Sequence, residues 1–196
     1  MSAGKRQHTE AQDLQAVLSA KGGNRFAFEG IVRRYTPVLY SLAVRLLGTD
    51  EEAEDAVQEI FEKAYRNLGR FHSTRRFFPW LYTIAVNHLR SRMRKNRRLR
   101  RLGIDPVSPE LIEEHQSSRD GDPQRQAVLR EGELLARQAL DKLRRVQREV
   151  FVLRQLQGLS TAETAEILHI PEGSVKTHLR RARLALVDAL TDQGWE

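Results

Sequence analysis

Apolar residues recur at three- and four-residue steps over most of this chain, the period of an amphipathic α-helix. Between positions 26 and 47, Ile31, Val32, Tyr35, Leu39, Leu42, Leu46 and Leu47 keep that step. Pro37 interrupts the run, which predicts a kink or a break. Upstream, Leu14, Val17 and Leu18 predict a short helix that stops at Gly22-Gly23. Downstream, Thr49 precedes Asp50, Glu51 and Glu52, the form of an N-cap with a negative first turn at the positive end of a helix dipole. The helix it opens turns Ala53, Ala56, Val57, Ile60, Phe61, Ala64 and Leu68 to one side. Asp55, Glu59, Glu62 and Arg66 lie opposite, with Gln58 on the flank. A third helix begins near Pro79, a first-turn proline, and carries Leu81, Ile84, Ala85 and Leu89 inward.

After Met93 the chain runs into RKNRRLRR without an acid. Residues 103–123 then hold Gly103, Pro106, Pro109, Gly121 and Pro123 among serines and acids, with weak helical period, and read as a linker. Asp122-Pro123 has the form of a cap and first turn that restarts helix, and the second helical unit runs to about residue 190. Strand-like alternation is absent. The predicted fold class is therefore all-α: two small helical domains, 1–97 and 123–196, joined by a flexible linker over 98–122.

The C-terminal domain contains a predicted helix-turn-helix. Ser160-Thr161-Ala162-Glu163 has capping-box form, and Ala165, Ile167 and Leu168 supply an inward face. His169-Ile170-Pro171 ends that helix, because a residue before proline disfavours the helical region. In the next helix Val175, Leu179, Ala182 and Leu186 align on one side. Lys176, Thr177, Arg180 and Arg181 fall on the far side, near the start of the second helix, the arrangement that reads a major groove. Arg183 lies toward the flank, where phosphate is the expected contact.

Composition sharpens this picture. The 196 residues carry a formal net charge of +7, which points to a polyanionic partner. There is no cysteine, which excludes disulfides and zinc–thiolate sites. His169 and His178 are isolated, and no carboxylate cluster, histidine pair or phosphate loop has catalytic spacing. No metal, cofactor or enzymatic activity is expected. No apolar stretch approaches the ~18 residues of a membrane span, and no apolar leader core is visible, so the expected location is the cytoplasm.

Three stretches carry a family resemblance: FAFEGIVRRYTPVLYSLAVRLLG, DEEAEDAVQEIFEKAYRNLGRF and FFPWLYTIAVNHLRSRMRK. They resemble the first conserved domain of bacterial RNA polymerase sigma factors, most closely the extracytoplasmic-function group. The C-terminal block is similar to that group's second domain, with G-x-S-x-x-E-x-A followed by Gly173-Ser174-Val175-Lys176 and a basic helix. The most specific parts are Asp55-Ala56-Val57-Gln58-Glu59 and the Trp80-Leu81…Ile84-Ala85…Asn87 run.

The resemblance implies a promoter-specificity subunit without catalysis of its own, acting in promoter recognition, strand opening and transcription initiation. Its second domain would read the minus-thirty-five element as duplex, and its first would capture the minus-ten element as single strand. The 71–77 loop and Asn87 would form a pocket for a flipped base, with Phe71 and Phe77 as aromatic platforms. Arg90, Arg94 and Lys95 would track the backbone. Trp80, at the helix start beside Leu81, reads as core. Asp55, Gln58, Glu59 and Glu62 would dock on the β′ clamp of core polymerase, whose β subunit is a further partner, and an anti-sigma factor is implied as well. The linker, when extended, could span promoter sites ~70 Å apart. An autonomous helix-turn-helix regulator that dimerises on a two-fold site stays open as an alternative. Departures from the family pattern are Arg144, where proline is frequent, Thr164 at an apolar position, and Arg75 and Arg76 in the base-capture loop.

Overall fold

The computed structural model describes residues 3–103 and 123–191. Among the described residues there are eight α-helices and no strand. Helices α1 (Ala3–Lys21), α2 (Arg25–Leu47), α3 (Asp50–Arg66) and α4 (Phe77–Arg101) form the first domain. Helices α5 (Pro123–Lys142), α6 (Arg145–Phe151), α7 (Thr161–Leu168) and α8 (Glu172–Thr191) form the second. Pro123 is the first residue of α5, as its fixed φ favours. Its expected cap Asp122, and most of the expected linker, lie outside the described residues.

Three expectations about elements are corrected. Helix α1 is not short: it spans 19 residues, with Val17 and Ala20 buried, while Leu18 faces outward. Its buried Asp13 accepts hydrogen bonds from the Arg34 guanidinium and the Tyr35 hydroxyl, which staples α1 to α2. Burial pushes that carboxyl above its usual range, and the bonds from Tyr35 and Arg34 oppose the shift. Pro37 neither breaks nor ends α2. The proline is exposed, so the Arg33 carbonyl it leaves without an intrahelical donor can turn to water. Finally, α4 continues through Arg101, so residues 98–101 belong to a helix rather than the linker.

Helix ends are as their residues dictate. Gly48 closes α2 at φ 103° and donates to the Val44 carbonyl at 2.8 Å. The Arg137 guanidinium of α5 occupies the place a β-carbon would need there. Thr49 Oγ1 accepts from the Glu52 amide at 3.4 Å and opens α3. After α6 the chain widens into a π-helical turn, Val152–Leu156, closed by the Gln157 amide on the Val152 carbonyl at 2.9 Å.

The two domains share one core. Ile31, Leu39, Leu42, Ile60, Leu81 and Leu89 of the first are continuous with Val150, Val152, Leu153, Leu159, Ile167, Leu168 and Val175 of the second. A smaller cluster of Ala139, Leu143, Ala182, Leu186 and Ala189 joins α5 to α8.

Candidate nucleic-acid and polymerase interfaces

The helix-turn-helix is built as its sequence specifies. Ser160 Oγ accepts from the Glu163 amide at 3.1 Å, and Glu163 returns by accepting from the Ser160 amide at 2.8 Å. His169 ends α7 in the left-handed region at φ 55°, which turns the chain into Pro171 and α8. Val175, Ala182 and Leu186 anchor α8 inward. Lys176, Thr177, Arg180 and Arg181 stand exposed on its outer side, as the period requires. The Thr177 hydroxyl donates to the Gly173 carbonyl at 3.0 Å, so its methyl and its two acceptor lone pairs are what it can offer a base. Arg183 donates to Gln155 Oε1 at 2.7 Å, which holds it on the flank.

On α4, Asn87 is exposed, and Arg94 and Lys95 extend the same polar side toward the C-terminal end of the helix. Two residues expected beside them are elsewhere. Phe71 and Phe77 are each 2% exposed. Phe71 lies 5.7 Å from Phe77 and 5.2 Å from Trp80, ring centre to ring centre, and Phe77 also meets Tyr35 at 6.1 Å. Rings enclosed in this way have no face left for a base, so their role as stacking platforms is corrected to a structural one. They form the floor under the exposed loop 72–76. Lys21 fastens that floor by donating to the Phe71 carbonyl at 3.0 Å. Trp80 is partly buried against this core, as expected.

Arg90 is not free to follow a phosphate chain in this arrangement. Its Nε and Nη2 donate to the two carboxylate oxygens of Glu149, both at 2.8 Å, across the domain boundary. Its Nη1 also donates to Asn87 Oδ1 at 3.3 Å. Sequence reasoning missed Glu149, and also Gln157, which reaches both Tyr82 and Ser41 of the first domain. Glu149 carries one legible signal: it is an acid at a position the helical period turns toward the core, next to Val150.

On α3, Asp55, Gln58 and Glu62 are exposed, and Glu59 is half exposed. Glu59 is already engaged: it accepts from Arg92, and the Glu59 carboxyl is held below the usual range chiefly by that hydrogen bond. It also faces the buried His88, whose Nδ1 is met by Lys63. Burial, and then the Lys63 charge, hold the His88 imidazole below its usual value and keep it neutral. Glu62 pairs with Arg66 one turn on, at 2.7 Å. Beside these acids an apolar groove of about 990 Å³ opens between α2 and α3, lined by Phe26, Val32, Phe61 and Tyr65 and bordered by Gln58 and Glu62. Among the described residues no group of three metal-ligating side chains comes together, and no helix is long and apolar enough to cross a membrane.

This geometry agrees with what the chain matches. Residues 31–99 match the family Sigma-70 region 2, and residues 133–186 match Sigma-70, region 4. The RNA polymerase sigma-H factor of Pseudomonas aeruginosa is 33% identical over 184 residues, covering 93% of this chain and 95% of that protein. The chain belongs to the extracytoplasmic-function sigma factors of bacterial RNA polymerase. Other members are similar over comparable lengths. The ECF RNA polymerase sigma factor SigW of Bacillus subtilis is 38% identical over 178 residues, 90% of this chain and 95% of its own. Among solved structures, CnrH in complex with the cytosolic domain of CnrY superposes with a TM-score of 0.66 at 26% identity, covering 92% of this chain and 98% of that one. The sigma factor RpoE of Bartonella quintana, bound to the anti-sigma factor NepR, superposes at 0.62 with 28% identity, covering 84% of this chain and 96% of its own.

As a sigma factor the protein acts in transcription initiation with RNA polymerase. The autonomous-regulator alternative gives way, because the region 2 match accounts for a whole domain that such a regulator lacks. The departures of this sigma factor from the family pattern have structural consequences. Arg144, in place of proline, still opens α6, its amide donating to Gln147 Oε1 at 3.3 Å. Thr164 is fully buried, and its hydroxyl has no hydrogen-bond partner. Arg76 donates to Glu10 and, at 3.4 Å, to Glu163 of the second domain.

Proposed function

We propose that this sigma factor holds a promoter with two chemically different surfaces. The exposed face of α8 reads the minus-thirty-five element as duplex, with Lys176, Thr177, Arg180 and Arg181 at base edges and Arg183 at phosphate. The loop 72–76 and Asn87 take a flipped base of the minus-ten element from the non-template strand. Arg94 and Lys95 follow its phosphates, and Arg90 joins them once released from Glu149. Asp55, Gln58 and Glu62, with Glu59 behind them, dock on the β′ clamp, where opposite charge favours register and on-rate. The β subunit completes the core partner. An anti-sigma factor is a further partner, a reading supported by the superposable sigma factor RpoE, captured with the anti-sigma factor NepR. The protein works in the cytoplasm, where its polymerase is.

The observation that carries this reading is the separation of chemistry. Cations stand outward on α8 and on the late part of α4, while acids are gathered on α3. A test addresses the acids. Asp55→Lys combined with Glu62→Lys leaves Glu59 to Arg92 and removes negative charge only from exposed positions. The variant is expected to keep its helical circular dichroism and lose at least ten-fold in affinity for core polymerase, about 1.4 kcal/mol or more. Undiminished co-elution with core would remove the clamp assignment.

A further inference from the structure

We infer that His88 is a positioning residue for the docking face of α3: from beneath that face its ring sets where the Lys63 and Glu59 charges stand. This rests on the reading of Asp55, Gln58, Glu59 and Glu62 as the polymerase-docking face. His88 is only 6% exposed, on the side of α4 that meets α3. An apolar side chain would suffice for packing there, as Leu81 and Ala85 do on the same side of the helix. What the imidazole adds is two ring nitrogens, and each meets a charged group of α3. Lys63 contacts Nδ1, and Glu59 Oε2 stands 3.4 Å from Nε2.

These two contacts fix the tautomer. An ammonium only donates, so Nδ1 is the bare nitrogen, and the ring proton sits on Nε2, toward the carboxylate. Nε2 is buried and makes no hydrogen bond of its own, which leaves the Glu59 charge as its company. Lys63 and Glu59 from α3, and Arg92 one turn along α4, are the charged groups that face the ring. Glu59 and Lys63 are themselves one turn apart, in the order that favours an ion pair along a helix. They stand 4.0 Å from each other, both half exposed. With its ammonium held at Nδ1, Lys63 leaves the solvent side of the Glu59 carboxylate to a partner. The other Glu59 oxygen accepts from Arg92, which also lies 3.9 Å from Asp55. Without the ring, Lys63 closes on Glu59 and cancels a charge in the middle of the acidic face. Protonating the ring has the same result, because an imidazolium cannot accept from Lys63 and repels it.

The test is the affinity of the full chain for core polymerase at pH ~7.5 and pH ~5.5, on either side of the ordinary histidine value. His88→Leu keeps an apolar packing group and is expected to weaken binding about five-fold at the higher pH, the scale of one partly exposed charge. His88→Gln offers an acceptor to Lys63 and a donor to Glu59 but does not titrate, and is expected to match the wild type there. Relative to His88→Gln, the wild type is expected to lose affinity as the pH is lowered, because only its ring gains a proton. Wild-type affinity in His88→Leu, a His88→Gln variant as weak as His88→Leu, or parallel pH profiles for the wild type and His88→Gln each overturn the positioning role. Should neither variant keep its helical circular dichroism, the wild-type ring decides. Proton–nitrogen correlation spectra are expected to place its proton on Nε2, and a proton on Nδ1 overturns the role. The docking reading is scored separately, from Asp55→Lys with Glu62→Lys. Lost core affinity in that pair, with none lost in His88→Leu, discards the positioning role and leaves the docking face standing. Full affinity in that pair discards the docking face, and the positioning role with it.

Discussion

Thr164 is the residue at which this chain departs most sharply from physical expectation. Its side chain is fully buried in the helix-turn-helix core, and its hydroxyl has no partner. An unsatisfied buried hydroxyl costs about 1–3 kcal/mol. Thr164→Val keeps the shape, removes that cost, and is expected to raise the stability of the second domain by about 1 kcal/mol in urea unfolding. A loss of stability would mean that the hydroxyl is satisfied by water. Individual residues differ in how far sequence discloses them. Thr164 can be flagged, because a polar residue at an inward helical position is a local signal. Asn87 and Arg181 are equally open to view, since helical period alone turns them outward. Phe71 and Phe77 are not, because an aromatic at the edge of a loop is read through the rings around it. Those rings come from Tyr35 and Trp80, which the fold alone brings within reach. Arg90 is misread for the same reason: its partner is 59 positions away.

Elements are the most legible scale. Thr49 and Ser160 are short-range caps, and both make the bonds their spacing implies. Ser160 carries the first helix of the DNA-binding motif, so its loss tests how much that cap contributes. Ser160→Ala is expected to destabilise the second domain by about 1 kcal/mol, read as a lower urea midpoint with an unchanged slope. No change would assign the helix start to packing alone. Pro37 shows where element reasoning stops: proline removes one bond, but an exposed position in a well-packed 23-residue helix tolerates that loss. The late part of α4 shows the opposite limit. Eight residues with six cations look like a tail, yet they extend the helix as far as Arg101. Arg92 and Asn96, on its inner side, are tied to Glu59 and Glu52 of α3, and those bonds carry the helix out to its charged end. The π-helical turn Val152–Leu156 has no sequence signature of its own; it places Gln157 at the seam.

At the scale of the whole molecule, sequence predicts two tethered domains, and the structure joins them through one core and several polar bridges. Long-range packing of this sort leaves no periodic trace, because each contributing side chain already has a reason to be apolar within its own domain. The function proposed for the molecule is a division of labour between paired and opened DNA. The most direct measurement of that division uses holoenzyme and a forked promoter, duplex upstream and single-stranded on the non-template strand downstream. Affinity is compared with two further probes, one keeping only the upstream duplex and one only the downstream strand. Asn87→Ala is expected to weaken binding to the probes that carry the single strand and to leave the duplex probe unaffected. Arg180→Ala with Arg181→Ala is expected to do the reverse, by about 1–3 kcal/mol for each arginine–base hydrogen-bond pair removed. Equal weakening on both partial probes from either variant would contradict the division.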